Sequence, residues 1–75
     1  MTESKIPTLA ELLEMTPQDR YEYLKSVKAE LPSMYQIARD LGVSATLINT
    51  VFGGISKNQK VLNYIVDKLN DNGNN

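Results

Sequence analysis

Residues 34–53 constrain the fold of this chain most, because their apolar positions fit two short helices joined by a tight turn. In the first half, Ile37, Ala38 and Leu41 recur at helical spacing and share one face. Gly42 follows, and a glycine can take the left-handed backbone conformation that ends a helix and reverses the chain. The spacing therefore predicts a compact pair of helices that meet at Gly42.

The second helix of this pair has an apolar face and a small polar face. We expect Ser44 to cap it and Val43 to fill the corner before it. The apolar face predicted to point inward consists of Leu47, Ile48, Val51 and Phe52. The outward positions are Ala45, Thr46, Asn49 and Thr50. Small, uncharged or amide side chains of this kind are suited to contacting base edges in a DNA major groove.

The pattern resembles the helix-turn-helix of the lambda-repressor-like family. Counted from Met34, it has alanine at the fifth place, glycine at the ninth, and aliphatic residues at the fourth, eighth, tenth, fifteenth and eighteenth. The segment VFGGIS and the apolar helix after it resemble the exit of that family's recognition helix and its fourth helix. The resemblance covers roughly residues 17–69 and implies an all-α fold, a compact bundle of four to five short helices.

The resemblance also implies which residues contact DNA. Contacts to bases are expected from Ser44, Ala45, Thr46, Asn49 and Thr50. Contacts to the sugar-phosphate backbone are expected from Ser33, Tyr35, Gln36, Ser56, Lys57, Asn58 and Lys60. Asn49 can pair with adenine through two hydrogen bonds, and a helix N-terminus near Ser33 favours a phosphate. Ala45 departs from the family, in which glutamine is frequent at this place, so contact with a thymine methyl is expected there.

Each assignment has a plainer alternative. Asn49 can be a solvated polar residue, Tyr35 a half-buried packing residue, and Ser44 a cap alone. The residues around Lys57 can form a solvated basic turn. Tyr64 is compatible with either a subunit interface or the core. The apolar pattern by itself also fits any small helical bundle with a glycine turn.

Capping signals divide the rest of the chain. Thr8 with Glu11 predicts a capping box that opens a short helix over residues 9–14. Thr16 before Pro17 predicts a second helix that runs to about residue 30 and is ended by Pro32. Its predicted core face is Tyr21, Leu24, Val27 and Leu31, and its predicted solvated face includes Arg20, Glu22, Lys25 and Glu30.

Two further capping boxes are predicted, Ser33 with Gln36 and Ser56 with Gln59, the latter opening a last helix that runs to about Leu69. The chain is thus expected to divide into an N-terminal extension with a short helix (residues 1–15), a helix-turn-helix domain (16–70) and a disordered tail (71–75).

Composition argues against catalysis and metal binding. The 75 residues suffice for one domain, and they include no cysteine and no histidine. The commonest general base, the thiol nucleophile and the preferred zinc ligands are therefore missing. We expect no enzyme, no metal and no cofactor. No apolar run approaches a membrane span and no signal peptide is visible, so a cytoplasmic, nucleoid-associated protein is expected.

The net charge of −1 is low for a DNA-binding protein, but it is unevenly distributed. Residues 33–66 contain Arg39, Lys57 and Lys60 against Asp40 alone, a sum of +2, whereas residues 1–32 sum to −2. This basic excess coincides with the helix-turn-helix. Because it is small, we expect a homodimer, which doubles the attraction to phosphates and reads two half-sites.

The resulting expectation is a transcriptional regulator that binds double-stranded DNA sequence-specifically, a repressor of phage or mobile-element type. The alternative is a helix-turn-helix-derived interaction module that binds a protein partner, in the manner of an anti-repressor or antitoxin. The acidic first half of the chain and its unusual N-terminal helix favour this alternative.

Overall fold

The computed structural model describes residues 6–73, which contain five α-helices and no strand. The helices are α1 (Leu9–Glu14), α2 (Pro17–Val27), α3 (Met34–Leu41), α4 (Ala45–Phe52) and α5 (Gln59–Gly73), and one turn of 3₁₀ helix, Lys28–Glu30, follows α2. The predicted all-α bundle is confirmed. Across residues 6–73, every helix is too short or too polar to cross a membrane.

All five helices contribute to one apolar core. Its buried residues are Leu12, Leu24, Ile37, Ala38, Ile48, Val51, Phe52, Val61, Leu62, Ile65, Val66 and Leu69. Leu12 is the buried residue of α1, and α1 packs against α5. The short helix of the predicted N-terminal extension therefore shares the core of the helix-turn-helix domain.

The first two predicted helix starts are confirmed. The Thr8 hydroxyl accepts from the Glu11 backbone N–H at 3.2 Å, and the Glu11 carboxylate accepts from the Thr8 N–H at 2.8 Å, which completes the capping box. Thr16 accepts from the Asp19 N–H at 3.1 Å, and Pro17 is the first helical residue. Both caps bond backbone donors that lack a partner within the helix.

The later capping boxes are only partly as predicted. Ser33 caps α3, but the Gln36 side chain bonds Asp40 instead of the backbone of the cap residue. Before α5 the cap is Asn58, whose side-chain oxygen accepts from the Val61 N–H at 3.1 Å, so the prediction of Ser56 as the cap was wrong.

The boundaries of two helices also differ from the prediction. The α-helical part of α2 ends at Val27, and the chain tightens into the 3₁₀ turn before residue 31. At the other end, α5 continues past Leu69 to Gly73, so residues 71–73 of the predicted tail are helical. Residues 74 and 75 of that tail lie outside the described range. Residues 61–69 already form a packed helix, and adding residues to an existing helix costs less free energy than starting one, so the polar end can continue it.

Candidate nucleic-acid interface

The turn between α3 and α4 has the predicted geometry. Gly42 has φ of +70°, in the left-handed region, and its N–H points at the carbonyls of Ala38 and Arg39. The Val43 N–H donates to the Ala38 carbonyl at 3.0 Å. A Cβ built on Gly42 would meet nothing within 4 Å. The turn thus needs glycine for its backbone conformation and not for space.

Helix α4 buries one face and exposes another. Ser44 caps it by accepting from the Leu47 N–H at 3.2 Å. Ile48, Val51 and Phe52 are buried, whereas Leu47, predicted to point inward, is only half-buried. Of the five predicted base contacts, Ser44, Thr46 and Asn49 are exposed, and Ala45 and Thr50 are half-buried.

The Thr50 hydroxyl is already engaged within its own helix. Its Oγ1 donates to the Thr46 carbonyl at 2.8 Å. A base contact from Thr50 is therefore limited to its methyl group and to the remaining lone pairs of its oxygen. The Ser44 hydroxyl is engaged as the helix cap, so Thr46 and Asn49 are the exposed predicted base contacts that make no such bond among the described residues.

Two surface grooves flank Asn49. The first, named here the N-terminal groove, is lined by Met34, Tyr35, Ala45, Thr46 and Asn49. The second, named the C-terminal groove, is lined by Tyr21, Lys25, Lys28, Asn49, Thr50, Phe52, Gly53 and Ile55. Asn49 belongs to both, so α4 forms the ridge between them. The structure thereby brings Tyr35 together with three of the predicted base contacts.

Three residues predicted to contact the DNA backbone, Ser33, Tyr35 and Gln36, lie at the start of α3, and they differ in their intramolecular hydrogen bonds. Tyr35 is 73% exposed. The hydroxyl of Ser33 serves as the helix cap, and the Gln36 amide donates to Asp40 at 2.9 Å. All three side chains are exposed, and the Ser33 hydroxyl and the Gln36 amide are engaged in these intramolecular bonds.

Asp40 also joins α3 to α5. The Tyr64 hydroxyl donates to its carboxylate at 2.7 Å. Partial burial and this hydrogen bond raise the pKa of Tyr64 to about 12, and the bonds from Tyr64 and Gln36 lower the pKa of Asp40. Tyr64 therefore serves as a tether between α3 and α5.

The segment after α4 contributes exposed charge. Lys57 and Lys60 are exposed, Ser56 is half-buried, and Asn58 is occupied as the cap of α5. Neither of the two grooves includes Lys57 or Lys60 in its lining. The backbone N–H of Ser56, the residue before Lys57, donates to the Thr50 carbonyl at 3.4 Å, so this segment starts against the end of α4.

Arg20 is the largest departure from the sequence prediction, because it is completely buried instead of solvated. Its guanidinium donates to the carbonyls of Leu12 at 3.3 Å, Met15 at 2.9 Å and Gly54 at 2.6 Å. Its Nε has no partner among the described residues. Arg20 thus connects the end of α1 to the turn that follows α4.

Tyr21, predicted to be a core residue, is 38% exposed. Its ring lies below the Lys25 ammonium, 5.8 Å from the ring centroid, in a cation–π contact. The four-residue spacing of these two side chains on one helix is the sequence signal that could have indicated the pair. Lys25 and Lys28 were not predicted as site residues, yet both line the C-terminal groove.

Comparisons of the chain with protein-family models, with curated proteins and with solved structures find no match.

Proposed function

We propose that this protein binds double-stranded DNA sequence-specifically and acts as a transcriptional regulator, with α4 in the major groove. One observation carries the proposal: α4 presents Thr46 and Asn49 on an exposed ridge between two grooves while its opposite face is fixed in the core. A rigid helix with short polar side chains on its outer face is what direct readout of base edges requires.

The chemistry of the ridge suggests which bases it reads. The Asn49 amide offers one donor group and one acceptor, the pattern that complements N7 and N6 of adenine. The methyl groups of Thr46 and Ala45 are suited to the methyl group of thymine. We therefore expect A·T pairs under α4.

Phosphate contacts would hold α4 in register. The cap at Ser33 opens α3, whose N-terminal N–H groups and dipole favour an anion, and Tyr35 can donate its hydroxyl. Lys57 and Lys60 supply positive charge after α4. With a net charge of −1, one subunit attracts DNA weakly, which favours a homodimer on two half-sites. A repressor of phage or mobile-element type, associated with the nucleoid, is the role that fits such a small unit.

Selection of bound sequences from a random duplex pool tests this proposal. We expect an enriched, A·T-containing motif with two half-sites about one helical turn apart, and an affinity that falls steeply with salt. Failure to enrich any motif, together with no binding to mixed-sequence duplex at low salt, would contradict DNA binding.

A second function is favoured by a different observation. Among residues 6–73, the large apolar side chains that remain exposed are Tyr21, Tyr35 and Ile55. Each lines one of the two grooves beside α4, and Ile55 is 78% exposed. Aromatic and aliphatic residues of this kind suit a protein partner. An anti-repressor or antitoxin-like module would use this surface and would show no affinity for DNA in the selection.

A further inference from the structure

We infer that the C-terminal groove holds a DNA phosphodiester strand and that Lys25 and Lys28 are its phosphate contacts. This inference rests on the proposed function and extends it to α2 and the 3₁₀ turn, which lie outside the helix-turn-helix. The two lysines share this groove with Asn49 and Thr50 of α4. A strand in the groove would thus run beside the residues proposed to read bases.

The C-terminal groove is positively charged, although the chain as a whole is slightly negative. Its lining contains two lysines and no carboxylate, whereas the chain carries a net charge of −1. On the same helix, Glu22 accepts a hydrogen bond from Gln18 at 2.8 Å and is not part of the lining. A local pair of ammonium groups without a carboxylate attracts an anion, and each phosphate of DNA carries one negative charge.

Two parts of the chain form the groove. One wall comes from α2 and the 3₁₀ turn, and the other comes from α4 and the turn after it. Gly53 is exposed and contributes no side chain to this second wall. The Tyr21 ring holds the Lys25 ammonium at the groove, which reduces the entropy lost when the lysine contacts a phosphate.

Backbone contacts beside a base-reading helix fix its register without reading sequence. Lys25 and Lys28 should therefore raise affinity for every duplex equally. They should also add to the salt dependence, because each neutralised phosphate releases a condensed counterion.

The test compares Lys25→Ala/Lys28→Ala with Lys25→Arg/Lys28→Arg, which keeps both charges. Binding to the selected duplex is titrated with salt, after a thermal melt has shown that each variant folds. The alanine variant should flatten the plot of log affinity against log salt by about two units, since each lost contact removes about 0.9. The arginine variant should keep the slope, and neither should change base preference.

The outcomes separate this inference from the proposed function. If the wild type binds the duplex and the alanine variant keeps the wild-type slope, the groove does not hold a DNA strand. If the wild type binds no duplex but binds polyglutamate, with the binding lost in the alanine variant, the groove takes an acidic polypeptide and both proposals fail.

Discussion

The two turns that bracket α4 have similar backbones but different origins. Gly42 before the helix and Gly54 after it have φ of +70° and +83°. The side-chain direction of Gly42 is open, whereas a Cβ on Gly54 would overlap the Pro17 carbonyl oxygen and lie 3.1 Å from the Cβ of Tyr21. The entry turn is thus determined by neighbours in sequence, and the exit turn by the tertiary packing of α2.

Arg20 also ties the exit turn, and not the entry turn, to distant parts of the chain. It bonds the Gly54 carbonyl across a separation of 34 residues, and its other bonds go to the carbonyls at the end of α1. The exit of α4 therefore depends on both N-terminal helices, and the proposed reading helix is held in place by the segment that looks most like an appendage in the sequence.

Loss of Arg20 should have the largest effect on stability. Arg20→Ala leaves three carbonyls without their donor and opens a cavity, so we expect a loss of about 3–5 kcal/mol. In a domain of this size, that loss would unfold much of the population at room temperature. Chemical denaturation followed by circular dichroism measures it.

Arg20→Lys is the matched variant. Lysine keeps the positive charge but lacks the planar guanidinium that reaches both the end of α1 and the Gly54 carbonyl. The stability of this variant should therefore lie between that of the wild type and that of Arg20→Ala. If Arg20→Ala unfolds at the same denaturant concentration as the wild type, the buried guanidinium does not join α1 to the exit turn.

The two glycine turns can be compared directly by the same substitution. Gly54→Ala combines a strained backbone with a steric overlap and should cost about 2–4 kcal/mol. Gly42→Ala meets open space and should cost only about 1 kcal/mol. The difference between the melting temperatures of the two variants measures how much the contact with α2 adds to the cost at Gly54. Equal losses would mean that packing against α2 does not determine the exit turn.

The exposed tether between Tyr64 and Asp40 should have the smallest effect, and it should depend on pH. Burial and the bond to Asp40 raise the pKa of Tyr64 to about 12 from its ordinary value of 10.0. The resulting stabilisation is complete below pH 10 and is lost as the pH rises through 12. The denaturation midpoint should therefore decrease more between pH 9 and pH 11.5 in the wild type than in Tyr64→Phe. Equal falls would mean that Tyr64 does not stabilise the fold through this bond.

The local elements of the fold could be predicted from the sequence because their signals lie within a few residues. The caps at Thr8, Thr16 and Ser44, and the turn at Gly42, depend on side chains next to the backbone groups that they satisfy. The buried Arg20 could not be predicted in this way. Its partners are backbone carbonyls, which have no sequence signature, and arginine on a polar helix face usually points to solvent.

In the candidate site, too, local features could be predicted from the sequence and tertiary ones could not. The exposure of Thr46 and Asn49 follows from helical periodicity. The presence of Lys25 and Lys28 beside Asn49 depends on how α2 crosses α4, which periodicity does not give. The internal bond of Thr50 was also missed, because threonine in mid-helix can either bond the preceding turn or face outward.

The most direct test of the proposed function measures base discrimination by α4. Affinities of the wild type, Thr46→Ala and Asn49→Ala are compared on the selected duplex and on duplexes with single base-pair changes. Asn63→Ala, an exposed asparagine on α5, serves as the matched control. Each α4 variant should lose about 1–3 kcal/mol of discrimination at one base pair and keep it elsewhere, while the control behaves as the wild type. Unchanged discrimination in both folded α4 variants would contradict the proposal that α4 reads DNA.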